Sequence, residues 1–222
     1  MEPTSAQPPS VEAFAGYVLH AMRTVYEELG PAASGYMNFY EVRILENHRP
    51  FSGYDRWVAD YVAKTWPNRR ILDVGSGIGT LEMLIARHGL GVGGIEMDPG
   101  RSKSARRLRE ELAKTWPEIA KNWQVIEGLF PDAIEGTSFQ GKDTVVIFTN
   151  VGGTWEDALF ERILGALPKF QHAMLDLYRF GGQRNEIAQR NELLNRIASG
   201  ARNVQHVQPK GWTNYDFVQF DF

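Results

Sequence analysis

The segment Arg70-Ile71-Leu72-Asp73-Val74-Gly75-Ser76-Gly77-Ile78-Gly79-Thr80 constrains this chain more than any other. It reads as a short apolar strand carrying one acid, a turn with three glycines, and a helix start. Glycine reaches positive φ without a Cβ clash, so its backbone can pass close to a ligand. The helix after the turn aims its free N–H groups, and the positive end of its dipole, at whatever sits there. Seventeen residues beyond Gly79, a second apolar run, Val92-Gly93-Gly94-Ile95, ends in Glu96. A carboxylate at the tip of the neighbouring strand can accept from both hydroxyls of a ribose. Together these features describe a pocket for a nucleoside with a charged appendage.

The glycine spacing narrows the ligand. Dinucleotide sites use G-x-G-x-x-G, with a pyrophosphate against the helix. Here glycines 75, 77 and 79 give G-x-G-x-G, and Thr80 follows. Asp73 would repel a pyrophosphate but suits a ligand bearing an ammonium and a sulfonium. The run Leu72 to Thr80 resembles the first motif of the class I S-adenosylmethionine-dependent methyltransferases. The run Gly94-Ile95-Glu96-Met97-Asp98 resembles their second. The resemblance extends from about residue 69 to the C-terminus. It implies an α/β fold with a Rossmann-like seven-stranded methyltransferase sheet, parallel with an antiparallel final hairpin, and an N-terminal helical lid. It also implies S-adenosylmethionine as cofactor, held by Asp73, Gly75, Ser76, Gly77, Gly79 and Glu96.

Composition fits a soluble globular protein. A chain of 222 residues can hold one well-packed domain with an appendage. The net charge of −3 gives no strong pull toward nucleic acid, so none is expected as a partner. Arg101, Lys103, Arg106, Arg107 and Arg109 read as the solvated face of a helix. The chain has no cysteine, which removes disulfides and thiolate chemistry. No apolar run reaches membrane-spanning length, and no secretory signal opens the chain. A cytoplasmic enzyme is expected, as a monomer or homodimer with a small-molecule substrate and no membrane partner. The histidines lack metal-ligand spacing, so no metal is expected.

Residues 1–10 are rich in proline and are expected to be disordered. Ser10 reads as the N-cap of a helix from Val11 to about Leu29, stopped by Gly30-Pro31. Further helices are expected over about 36–47 and 54–66, making residues 11–66 a helical lid and 67–222 the catalytic domain. From Arg70 strands and helices alternate, which argues for a parallel sheet covered on both faces. Strands are expected at 70–75, 91–96, 123–127, 143–149, 173–178, 203–208 and 214–222. The connection between the third and fourth is too short for a full helix.

In such sheets ligands lie beyond the C-terminal strand ends. Met97, Leu129 and Phe130 suit the two faces of an adenine ring. The family resemblance implies an acid or amide after the third strand; this chain has Gly128-Leu129-Phe130 there, so backbone contacts would serve. Asn150 ends the fourth strand. It can orient a substrate amine or hydroxyl and touch the cofactor, or cap the strand. Tyr178 can contact substrate or sulfonium, or pack beneath the lid. Neither an N-P-P-Y motif nor a metal-binding acid pair is present. Tyr36, Tyr40, Arg43 and Asn47 share a helix face if that segment is helical. Tyr36, Tyr40, Arg43 and Arg49 are therefore candidates for the lid and substrate contacts, against a plain exposed helix with local ion pairs. An arginine here could grip a carboxylate.

The expected function is methyl transfer to a small molecule, without need of a strong general base if the acceptor is an amine or an acidic hydroxyl, with natural-product or amino-acid chemistry as the setting. Asn150 and Tyr178 would position the reacting groups. The alternative keeps the cofactor but changes the reaction. An azetidine-carboxylate synthase-like cyclase would close the aminobutyrate chain and release methylthioadenosine. A cofactor-binding module without catalysis and a nicotinamide oxidoreductase are the remaining classes.

Overall fold

A computed structural model describes residues 9–36, 40–149, 151, 156–180, 187–212 and 215–222; the side chains of residues 178, 179 and 187–189 fall outside that description. The expected disordered stretch therefore lies mostly outside the described residues, although the Pro9 carbonyl accepts from Arg87 Nε and Nη2 at 3.0 and 2.7 Å.

Seven strands form one sheet: β1 (Arg70–Val74), β2 (Val92–Glu96), β3 (Trp123–Glu127), β4 (Thr144–Phe148), β5 (His172–Asp176), β6 (Asn203–Val207) and β7 (Phe217–Asp221). Their order is β3-β2-β1-β4-β5-β7-β6. β1 to β5 are parallel, and β7 pairs antiparallel to both β5 and β6. The expected sheet and final hairpin are both present. The central strands β1 and β4 are buried on both faces, which is why they read as continuous apolar runs.

Among the described residues nine α-helices accompany the sheet: α1 (Val11–Leu29), α2 (Pro31–Ser34), α3 (Gly53–Thr65), α4 (Thr80–Arg87), α5 (Pro99–Thr115), α6 (Pro117–Lys121), α7 (Asp157–Ala166), α8 (Leu177–Phe180) and α9 (Ile187–Ala198). Ser10 caps α1 as expected, its oxygen accepting from the Ala13 N–H at 3.2 Å. Ser52 and Asp55 close a reciprocal capping box on α3. A single 3-10 turn, Asp132–Ile134, fills the short β3–β4 connection.

Two expectations change. The helix expected over 36–47 is a π-helical segment, Glu41–Glu46, after a buried Tyr36. Residues 37–39 are outside the described set. The fifth strand ends at Asp176, so Tyr178 sits in α8 instead of at a strand tip.

The sheet separates two cores. On one face Phe14, Val18, Met22 and Val25 of α1, with Val58 and Val62 of α3, join Ile71, Val145, Ile147 and Met174 of the sheet. On the other, Leu72, Val146 and Phe148 pack with Phe160 and Ile163 of α7. Residues before and after 66 thus share one packed core on that face. The N-terminal helices complete one face of the sheet core.

Candidate functional site

The site is built where β1 and β2 end. Gly75, Gly77 and Gly79 adopt φ of 82°, 62° and 89°, so the turn needs glycine at each. The Gly75 and Ser76 N–H groups both donate to the Ile95 carbonyl, at 2.8 and 3.0 Å, tying the turn to β2. Glu96 is 4% exposed. Its Oε2 accepts from the Gly77 N–H at 2.9 Å and its Oε1 from the Asp98 N–H at 2.8 Å. Each carboxylate oxygen keeps a further lone pair for a ligand hydroxyl. Asp98 then caps α5 by accepting from the Arg101 N–H at 2.8 Å.

Met97 and Leu129 follow β2 and β3 and are 63% and 44% exposed. They are two of the four exposed large apolar side chains among the described residues. Their exposure beside Glu96 leaves a surface for a flat apolar ring. Phe130 turns the other way, into the core against Phe148 and Phe170, at centroid distances of 5.5 and 6.0 Å. Its ring does not share the face that Met97 and Leu129 present. Gly128 donates its N–H to the Glu96 carbonyl at 3.0 Å, holding the β3 tip against β2.

Asp73 is buried beneath the glycine turn, opposite Gly94 in the β1–β2 register. Glu82, in the first turn of α4, is fully buried over the same spot; a Cβ on Gly94 would lie 2.6 Å from its Oε1. Asp73 Oδ1 and both Glu82 oxygens meet no protein hydrogen-bond partner of good geometry. Two carboxyls placed together out of water do not both ionise, so the pair holds a proton. Burial pushes Asp73 up to about 8, with the charges of Asp55 and Glu96 adding to the rise and contact with Glu82 opposing it. Burial and then the neighbouring Asp73 push Glu82 well above the usual carboxylate range.

Tyr40 covers the turn from the N-terminal side. Its oxygen accepts from the Ile78 N–H, and burial pushes its hydroxyl up to about 12. The Arg43 guanidinium lies 5.5 Å from the centre of its ring and pairs with Asp55 at 3.3 Å. Arg43 also donates to the Pro50 carbonyl at 2.8 Å. Tyr36, expected beside Tyr40 as a substrate contact, points into the protein and donates to the Met22 carbonyl at 2.9 Å. Arg49 is exposed. Asn150 and the side chain of Tyr178 lie outside the described residues.

Two acids escaped the sequence reading. Glu82 is one. The other is Asp176, fully buried at the end of β5, which accepts from the Tyr54 hydroxyl at 3.3 Å. The signal for Asp176 was present: it ends an apolar run, as Glu96 does. Glu82 gave less, because an acid in a first helical turn is ordinary.

No protein-family model matches the sequence. No curated protein matches it either. Solved structures do match in fold. The methyltransferase domain of a bacterial Hen1 aligns with a TM-score of 0.54 at 12% identity, over 76% of this chain and 98% of that one. A precorrin-6y C5,15-methyltransferase from Geobacter metallireducens gives 0.50 at 11% identity, over 75% and 88%. A protein assigned as an O-methyltransferase from Nostoc punctiforme gives 0.54 at 11% identity, over 94% and 72%. At such identities the likeness establishes the fold.

Proposed function

We propose that this chain, which has the fold of the class I S-adenosylmethionine-dependent methyltransferases, binds S-adenosylmethionine at the glycine turn and transfers its methyl group to a small molecule. The observation that carries this reading is Glu96, buried at the β2 tip, bonded to the Gly77 and Asp98 N–H groups and bordered by exposed Met97. A ribose suits the remaining lone pairs of that carboxylate, and an adenine suits the faces of Met97 and Leu129. The orphaned oxygen of Asp73 suits a cationic amino group.

The cofactor's sulfonium supplies an electrophilic methyl carbon. The chain has to hold the acceptor in line with it and exclude water. Tyr40 supports water exclusion by closing over Gly77 and Ile78. Asn150 and Tyr178 remain our candidates for orienting the acceptor's nucleophile. An amine or acidic hydroxyl as acceptor would need no strong base.

A thermal-shift series tests the reading. S-adenosylmethionine and S-adenosylhomocysteine should raise the melting temperature by ligand linkage, and NAD and NADP should not. Stabilisation by the nicotinamide cofactors alone would remove the proposal.

A further inference from the structure

A cleft of about 580 Å³ is lined by residues of the N-terminal segment, none of them assigned to the cofactor. Its walls come from α1, from the segment around 43–51 and from the start of α3. The volume is that of a small-molecule pocket. Arg43, Arg49, Arg56 and His48 line it, and no acid does. Arg43 is committed to Asp55 and the Pro50 carbonyl. Arg49 and Arg56 are exposed and make no ion pair among the described residues. Guanidinium groups facing one concavity repel each other, and an anion seated between them removes that repulsion.

The rest of the lining suits the same ligand. Ser52 and Gly53, which begin α3, line the cleft, with Asp55 turned to the Ser52 N–H and Arg43. Ala15, Gly16, Leu19 and Phe51 give the lining an apolar part. Gly16 stands in the middle of α1, where glycine weakens a helix, and a Cβ there would meet open space. That absence widens the cleft on its apolar side.

Two contacts connect the cleft to the C-terminal edge of the sheet. At one end Arg43 stacks on Tyr40, which closes over Gly77 beyond β1. At the other, Tyr54 in the first turn of α3 donates to Asp176 at the end of β5. Arg43 in the lining, and Tyr54 next to Gly53 of the lining, thus connect the cleft to two C-terminal strand tips.

We propose that this cleft is an oxyanion subsite that holds the phosphate or carboxylate group of the acceptor, with an apolar body against α1. The assignment of that anion to an acceptor rests on the methyltransferase reading. The acceptor is then an anionic small molecule, and Arg49 and Arg56 determine specificity for it.

The test is a melting-temperature titration of the full chain with inorganic phosphate and with acetate, each against sodium chloride at equal ionic strength. S-adenosylmethionine is run in parallel. At least one oxyanion should stabilise beyond chloride, and the stronger of the two names the group. In Arg49→Gln/Arg56→Gln the apparent affinity for that anion should fall about tenfold or more, because charge-assisted bonds are lost. The cofactor's shift should persist, which also shows that the variant is folded. No effect beyond chloride, or an equal effect in the variant, would overturn the subsite. An intact oxyanion effect with no S-adenosylmethionine effect in wild type would overturn its role in holding an acceptor.

Discussion

The Tyr40 hydroxyl occupies the space that a Cβ on Gly77 would need. The sequence suggested that Gly77 lets a ligand approach the backbone. In the structure the first atoms it admits belong to the protein. The same holds around it: a Cβ on Gly75 would meet Val151 at 2.7 Å, and one on Gly79 would strike Trp123. The turn is therefore fitted to its own surroundings as well as to a ligand.

Gly77→Ala should accordingly be destabilising on its own, from strain at φ 62° and from the clash with Tyr40. Tyr40→Phe removes the clashing oxygen. The double variant should be less destabilised than the sum of the two singles, by about 0.5–3 kcal/mol. Chemical denaturation of the four proteins measures this. Strict additivity would show that Tyr40 does not rest on Gly77 in solution.

Glu96→Gln tests the cofactor assignment without removing the side chain. The change weakens the bonds to the Gly77 and Asp98 N–H groups and any bond to a ribose. Affinity for S-adenosylmethionine should fall tenfold or more, in line with about 1.5–3 kcal/mol for a charged hydrogen bond. Calorimetric titration reads it. Wild-type affinity in the variant would place the cofactor elsewhere.

Met97 and Phe130 should separate cleanly. Met97→Ala removes an exposed side chain, so stability should hardly change while cofactor affinity drops. Phe130→Ala opens a cavity beside Phe148 and Phe170 and should cost about 3–5 kcal/mol of stability. Loss of stability in the first and not the second would contradict the orientation of the two side chains.

The buried acid pair predicts an uncommon pH dependence. An unfolded carboxyl loses its proton near pH 4, whereas Asp73 in the fold holds it up to about 8. Between those values the folded chain carries the extra proton. The pair's contribution is complete below about pH 4 and is lost as pH rises through about 8, at up to about 1.4 kcal/mol per pH unit for each proton. Melting temperature should therefore fall from pH 6 to pH 9. Glu82→Gln should flatten that fall and lie above wild type at the alkaline end. Equal slopes would mean that the pair is ionised or solvated.

The sequence was most legible where local chemistry and tertiary packing agree. Asp73 to Thr80 and Gly94 to Asp98 announced the turn, and continuous apolar runs marked β1 and β4. The segment around Tyr40 was less legible. Its helical spacing is real, but the burial of Tyr36 and the contact with Gly77 depend on residues distant in sequence, and the backbone takes a π form at Glu41–Glu46. The burial of Phe130 was not legible, because a strand tip offers two faces and only the sheet decides which is the core. The packing partners of α1 were hidden for a similar reason. Its apolar stripe was visible, but its partners Ile71, Ile147 and Met174 are far along the chain.

The most direct measurement is to supply the protein with methyl-labelled S-adenosylmethionine, with and without a mixture of anionic small metabolites, and to identify the products by mass spectrometry. The account predicts S-adenosylhomocysteine and a labelled product when acceptors are present, and near silence without them. Many turnovers of methylthioadenosine from S-adenosylmethionine alone would contradict methyl transfer and establish cyclisation or another alkyl chemistry in its place.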